Sequence, residues 1–212
     1  MEFTYVKSRF QEEIEIQKDK YDKLQLNVLK DMIVSLTGLL EIHDTYTINH
    51  SQNVADIAKK IAIEMNFSKA RVVQIYYAGL VHDIGKALIP IEIINKNGKL
   101  TTAEYKIVKE HPGNAYKALI NAEALNFIAR IVLEHHERWD GQGYPNAITG
   151  EEICIESRIL ALADSYDAMT SDRPYRKAFS KKEAIAEINK NAGKQFDPNI
   201  TRIAIEKVFN FL

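Results

Sequence analysis

Apolar residues recur along this chain at steps of three, four and seven, the period of a helix with one buried face. From about Phe10 to Ile42 the residues Ile14, Tyr21, Leu24, Val28, Met32, Leu36 and Leu39 keep that step, and "QEEIEIQKDKYDK" supplies a charged opposite face. The pattern predicts one long amphipathic helix there. Its stripe serves either packing within the domain or pairing with a second chain, as a dimerisation or signalling stalk. Further helices are predicted at 50–66 (Val54, Ile57, Ile61, Met65), 69–86, 102–111, 122–137, 156–171 and 181–191. Two starts carry capping boxes, Thr101 with Glu104 and Ser180 with Glu183, in which hydroxyl and carboxylate satisfy free backbone donors reciprocally. Breakers fall at "IPIEIINKNGKL", "RWDGQGYPNAITG" and "GKQFDPN", and no stretch readily places a strand. Neither repeat nor linker interrupts residues 42–212. The expected fold is all-α: an N-terminal helix over 1–41 and one helical domain over 42–212.

Composition narrows this. With 46% hydrophobic and 27% charged residues in 212, the chain is an ordinary soluble globular protein. A net charge of −1 and a pI near 6.6 argue against a surface built for polymeric nucleic acid or an anionic membrane, so any anion site must be local. Cys154 is the only cysteine, which rules out an intrachain disulfide and fits a reducing compartment; a cytoplasmic location is expected. The longest apolar stretch, "MIVSLTGLL", is too short for a membrane span, and the N-terminus lacks the basic-then-apolar order of a signal peptide.

The histidines change the picture. His50, His82, His111 and His135 fall 32, 29 and 24 residues apart, with Asp164 a further 29 on, about one per helix and connection. Each lies on or beside an apolar stripe, so each is expected to face inward. A lone inward histidine is most often a hydrogen-bonded core residue, and His43 is read that way. A cluster of them is different, because burying several imidazoles and carboxylates without partners costs several kcal/mol per group, and a divalent cation compensates. The doublets "HD" at 82–83 and "HH" at 135–136 add Asp83 and His136. On a helix, adjacent side chains diverge, so each doublet is expected to serve two ions rather than chelate one. An aspartate between two such ions can bridge them, and a water they share becomes a nucleophile near neutral pH.

"HDIGK" (82–86), "EHP" (110–112), "HHERWDGQGYP" (135–145) and "ALADSYDAMTSDRPYR" (161–176) together resemble the HD-GYP family, a branch of the HD-domain metal-dependent phosphohydrolases. The likeness extends to "DTYTINHSQNV" and to "GKQFDP", covering residues 42–212. It implies an HD-domain helical bundle and hydrolysis of cyclic di-GMP, a bacterial second messenger, to linear pGpG and sometimes onward to GMP. Position by position, it implies His50, His82, Asp83 and Asp164 as ligands of one metal and Asp83, His111, His135 and His136 as ligands of the other. Some members add a third metal through a glutamate where this chain has Tyr46, so two ions are expected. Asn53 stands where the family commonly has arginine, which leaves the ligands untouched. Mixed His and Asp ligation suits iron or manganese, which the resemblance favours, and less distinctively zinc or nickel.

Around these ligands the chain offers groups suited to a phosphodiester. Lys86, three residues after Asp83, is expected beside the ions if the helix persists through Gly85, where its ammonium stabilises charge on phosphoryl oxygens. The densest basic run, "SDRPYRKAFSKK", holds Arg173 and Arg176, to which the resemblance assigns phosphate contacts; Lys181 and Lys182 are read as surface. The loop after "HH" is read as a substrate rim where Tyr144 offers a ring and a hydroxyl, while Trp139 either does the same or packs. The resemblance also associates this loop with docking to diguanylate cyclase domains. Three rivals stand beside cyclic di-GMP hydrolysis: the same chemistry on 3′,3′-cGAMP or another nucleotide phosphate ester, a low-activity cyclic di-GMP-binding signalling module, and a di-iron oxygenase, for which the loop and Arg173 have no use.

Overall fold

The computed structural model describes residues 20, 24, 27–28, 31–38, 49–172 and 177–212. The chain divides into two units, residues 1–36 and 37–212. In the first, the described residues are helical, and Leu24, Val28, Met32 and Leu36 are exposed. The rest of the helix expected over 10–42 lies outside the described residues, as do His43, Tyr46, Arg173 and Arg176.

The second unit is all-α. Its helices are α1 (His50–Glu64), α2 (Lys69–Val81), α3 (Ile91–Ile94), α4 (Thr102–Val108), α5 (His111–Leu119), α6 (Asn126–Glu134), α7 (Ile155–Thr170), α8 (Lys181–Lys190) and α9 (Pro198–Lys207). Short 3-10 turns occupy Ile84–Leu88, Glu123–Leu125, Gly150–Glu152 and Phe209–Phe211. Among the described residues there is no β-strand, only an isolated bridge between Ala192 and Phe196. None of their helices is long and apolar enough to cross a membrane.

The core forms where α1 packs on α2 and α7. Val54, Ala58 and Ile61 of α1, Ile75 and Ala78 of α2, and Ile159, Leu160 and Leu162 of α7 are fully enclosed. Each large aliphatic side chain buried this way contributes about 1.5–3 kcal/mol. Residues 54, 58 and 61 are the four- and three-residue steps of one helix face, which is why the stripe was legible in the sequence. On the other side α5 packs against α6 and against the turn Ile84–Leu88. Gly85 permits that second contact: a Cβ on it would overlap the His111 carbonyl and crowd the Ala115 nitrogen. Without a side chain there, the turn lies directly on the first residues of α5 and carries Asp83 toward His111.

Helix limits depart from the pattern in instructive places. The segment expected as one helix over 69–86 stops at Val81, and Ile84–Leu88 continues as a 3-10 turn. The 102–111 segment ends at Val108, and His111 opens a separate helix. The last helix, α9, was not anticipated because "GKQFDPN" reads as a breaker. Its Asp197 caps the new helix by accepting from the Asn199 and Ile200 backbone N–H groups, with Pro198 in the first turn. Both anticipated capping boxes are present, and Thr149 with Glu152 forms a third.

Candidate metal centre

The site gathers at helix ends. His50 is the first residue of α1, His82 the C-cap of α2, His111 the first residue of α5, and His135 the C-cap of α6; Asp164 comes from within α7. Leaving the helix at these points turns each side chain off the helix flank and toward a common centre. His82, His111 and His135 are 1% exposed and Asp83 3%, so four polar groups share a nearly dry space. Ligand atoms of His50, His82 and Asp164 lie within 4.8 Å of one another, as do those of His111, His135 and His136, and those of His82, Asp83 and His135. All seven residues expected as ligands are thereby brought together. The rings of His135 and His136 lie 4.0 Å apart and both join His111, while His135 also joins His82 and Asp83. Both follow Glu134, the last residue of α6.

Hydrogen bonds on the far side of each ring fix what faces inward. The Nδ1 of His82 lies 2.8 Å from the Gly79 carbonyl, that of His111 2.8 Å from the Val108 carbonyl, and that of His135 2.6 Å from the Val132 carbonyl. A carbonyl oxygen only accepts, so each Nδ1 carries the proton and each Nε2 is left as a bare lone pair. These lone pairs point at other acceptors. His82 Nε2 is buried without a hydrogen-bond partner, 3.3 Å from Asp83 Oδ2. The Nε2 of His111 stands 3.4 Å from Asp83 Oδ1 and 3.4 Å from the Nε2 of His135. Acceptors facing acceptors in a buried space repel unless a cation lies between them. The donor set therefore fits divalent metal, with nitrogen and carboxylate ligands in the usual mixture.

Electrostatics divides the nest. Burial, aided by the neighbouring His136 and His82, holds His135 well below the usual imidazole range, and burial with His111 lowers His136 to about 3. His111 is also lowered, by burial above all. His50 goes the other way. Burial opposes its proton, but hydrogen bonds to Asp164 and Asp167 outweigh it and raise the ring to about 10. Asp83 is pushed up by burial, yet the charged groups around it override this and hold it well below the carboxylate range. Asp164 is likewise kept ionised against burial, chiefly by His50.

Other candidates fall around this centre. Lys86 sits in the 3-10 turn rather than on a continued helix, and its Nζ still reaches Asp83 Oδ2 at 2.6 Å, because three residues complete one 3-10 turn. Tyr144 returns to the site: its backbone N–H donates to the His136 carbonyl, and its ring packs on the His136 ring at 4.8 Å. Lys109, not singled out by sequence, places its ammonium 4.9 Å from the Tyr144 ring and 4.8 Å from that of Tyr105. The loop is shaped by Glu137, a buried carboxylate that accepts from the Asn146 and Ala147 N–H groups. Gly143 lies so close to Glu137 and Arg138 that a Cβ would overlap their backbone. Trp139 packs. The Arg158 guanidinium lies 5.5 Å from its ring and pairs with Asp197, while Trp139 and Asp140 donate to the Gln195 and Lys194 carbonyls. The "GKQFDP" motif thus supports the loop from beneath. Asp167 is the other residue missed, though its spacing of three from Asp164 on one helix was a readable signal.

A model of the HD domain family matches residues 35–200. The chain is 40% identical over 174 residues to a cyclic di-GMP phosphodiesterase of Thermotoga maritima, covering 81% of this chain and 47% of that protein. It is 37% identical over 193 residues to cyclic di-GMP phosphodiesterase PA4108 of Pseudomonas aeruginosa, covering 90% and 46%. To 3'3'-cGAMP-specific phosphodiesterase 3 of Vibrio cholerae it is 33% identical over 184 residues, covering 87% and 40%. The chain spans less than half the length of these relatives. In fold it is similar to the crystal structure of the L. monocytogenes phosphodiesterase PgpH HD domain in complex with cyclic-di-AMP. That likeness has a TM-score of 0.61 at 18% identity, covering 83% of this chain and 94% of that one. HD-domain phosphohydrolases bind divalent metals, and the histidines and aspartates gathered here can hold them. The chain belongs to the HD domain family, and within it to the HD-GYP branch.

Proposed function

We propose that this chain is a metal-dependent phosphodiesterase that hydrolyses cyclic di-GMP to linear pGpG, with GMP as the further product the family sometimes forms. The observation that carries the reading is the inward set of Nε2 lone pairs facing one another and Asp83 in a buried space. His50, His82, Asp83 and Asp164 would hold one ion and Asp83, His111, His135 and His136 the other, with iron or manganese favoured over zinc or nickel by the mixed ligands. Divalent ions so held supply Lewis acidity to a phosphodiester and make water a nucleophile near neutral pH. The chain's own groups do the rest. Lys86, at 21% side-chain exposure, stands where its ammonium can leave Asp83 for a phosphoryl oxygen as charge develops there. The Tyr144 ring, seated on His136, walls the rim on which a guanine would lie, and the family resemblance assigns phosphate contacts to Arg173 and Arg176. Water adds to phosphorus, the bond to the ribose 3′-oxygen breaks, and a proton passes to that oxygen.

A second reading, hydrolysis of 3′,3′-cGAMP, is favoured by the 33% identity to a Vibrio cholerae protein named for that substrate. Residues 42–212 would carry the hydrolase and residues 1–41 the stalk, in the cytoplasm. A homodimer through that stalk is supported by exposed Leu24, Val28, Met32 and Leu36, four residues apart. Docking of a diguanylate cyclase domain on the 141–145 loop is a further expectation. The deciding experiment strips the full chain with chelator, reloads it anaerobically with Mn(II) or Fe(II), and follows cyclic di-GMP and 3′,3′-cGAMP in parallel by chromatography. Cyclic di-GMP should be consumed faster, with pGpG first. Faster loss of cGAMP establishes the second reading, and no loss of either by loaded protein overturns both.

A further inference from the structure

We propose that Asp167 is a positioning residue that makes the metal position around His50 the tighter of the two, so that the ions load in order. The inference rests on the metal reading above and adds a residue to it. Three of the histidines are turned by a neutral acceptor, the carbonyl three residues back, which belongs to the helix that His82 or His135 caps and, for His111, to the last residue of α4. His50 is held differently: Asn49 before it has left-handed backbone, φ 65°, and α1 begins with His50. Its Nδ1 is instead met at 2.6 Å by the Asp167 carboxylate, 117 residues away in sequence.

The geometry separates this carboxylate from the ligands. Asp164 Oδ1 stands 3.2 Å from His50 Nε2, the nitrogen that faces the centre, whereas Asp167 holds the opposite nitrogen. Two carboxylates one turn apart on α7 thus grip the two sides of one ring. Asp167 is 4% exposed, so its charge acts with little screening by water. A carboxylate behind an imidazole makes it a better electron donor than a carbonyl does and fixes its direction. The His50, His82 and Asp164 position therefore has two carboxylates of its own. Among the described residues the His111, His135 and His136 position has none beyond the shared Asp83, so the ion around His50 should bind first and leave last.

Chelator-stripped full chain is titrated with Mn(II) against a competing chelator, comparing wild type, Asp167→Ala and Asp167→Asn, with circular dichroism to report folding. Wild type should show two unequal steps. In Asp167→Ala the tighter step should weaken about 10–100-fold and the other stay put. Asp167→Asn, whose amide oxygen still accepts from Nδ1, should lose less than the alanine variant, and His136→Ala should weaken only the looser step. If the alanine variant does not fold, the near-isosteric asparagine decides: a loss confined to the tighter step supports the proposal. Equal steps in wild type, or unchanged or equally weakened steps in folded variants, overturn it. Wild type that takes up no ion sinks the metal reading itself, a result distinct from two ions that ignore Asp167.

Discussion

The nest has two halves that burial treats alike and neighbours treat oppositely. On one side His50 is flanked by Asp164 and Asp167, and its ring is raised to about 10 despite being enclosed. On the other, His136 sits among His111 and His135 and falls to about 3. Desolvation disfavours the imidazolium in both. Adjacent carboxylates reverse it in the first, and adjacent imidazoles reinforce it in the second. One half is thus an anionic clamp that favours a cation, so that its imidazole keeps a proton near neutral pH. The other keeps its lone pairs free near neutral pH.

Asp83 belongs to both halves, so removing it tests whether they work as a unit. Asp83→Ala should weaken both steps of the metal titration and lower hydrolysis by about 10³-fold or more. His136→Ala should disturb one step. If Asp83→Ala spared either step, the carboxylate would not be shared, and the halves would be separate sites.

Lys86→Met removes a cation that neither half uses as a ligand. Its loss should leave both titration steps in place and lower kcat by roughly 10²-fold, read in product formation at saturating substrate. A change in metal stoichiometry instead would mean that the Asp83 pair at 2.6 Å is structural.

The contrast also predicts a pH profile for metal-free protein. The folded values of His111, His135 and His136 lie below the ordinary 6.5, so as pH falls from about 6.5 the unfolded chain binds protons that the fold refuses, and stability drops. His50 lies above, so its contribution is complete below 6.5 and is lost as pH rises through about 10. Thermal unfolding should peak between these limits, with Tm falling by about 5 °C or more from pH 7 to 5. His136→Asn should flatten the acid limb and Asp167→Asn the alkaline one. A flat acid limb in wild type would mean that the imidazole half is already wet.

Much of this site was legible in the chain and its supports were less so. His50, His82, His111, His135 and Asp164 announce themselves because each belongs to a different helical unit, and a core has no use for that recurrence. The helix ends were harder to read. Periodicity over 69–86 is unbroken, and what stops α2 at Val81 is the pairing of the following turn with α5, a tertiary contact that Gly85 permits. The "HH" doublet converges on His111, a meeting with another helix that periodicity along α6 does not reveal. Asp197 and Pro198 signal a start and a stop alike, since both roles use the same residues. Asp167 escaped because a carboxylate that supports a ligand looks like any other on a helix until its partner, 117 residues away, is in place.

The smallest effect is expected at the rim of the imidazole half. Tyr144 touches His136 through its ring, 4.8 Å away and tilted by 30°, and the Lys109 ammonium lies over the same ring. Its hydroxyl is pushed above the usual range by burial first, with Tyr105 and Asp164 adding to it, so it stays protonated and offers a hydrogen bond rather than a charge. Tyr144→Phe keeps the ring, and with it the wall of the site and the seat for Lys109. Losing one neutral hydrogen bond of about 0.5–1.5 kcal/mol should raise KM by roughly 2–10-fold and leave kcat and both metal steps unchanged. Tyr144→Ala should do more, because it uncovers His136 to water. A kcat loss in Tyr144→Phe comparable to that in Lys86→Met would place the hydroxyl on the reacting phosphate. The rim and the ligands of the imidazole half would then act in the same step instead of dividing binding from chemistry.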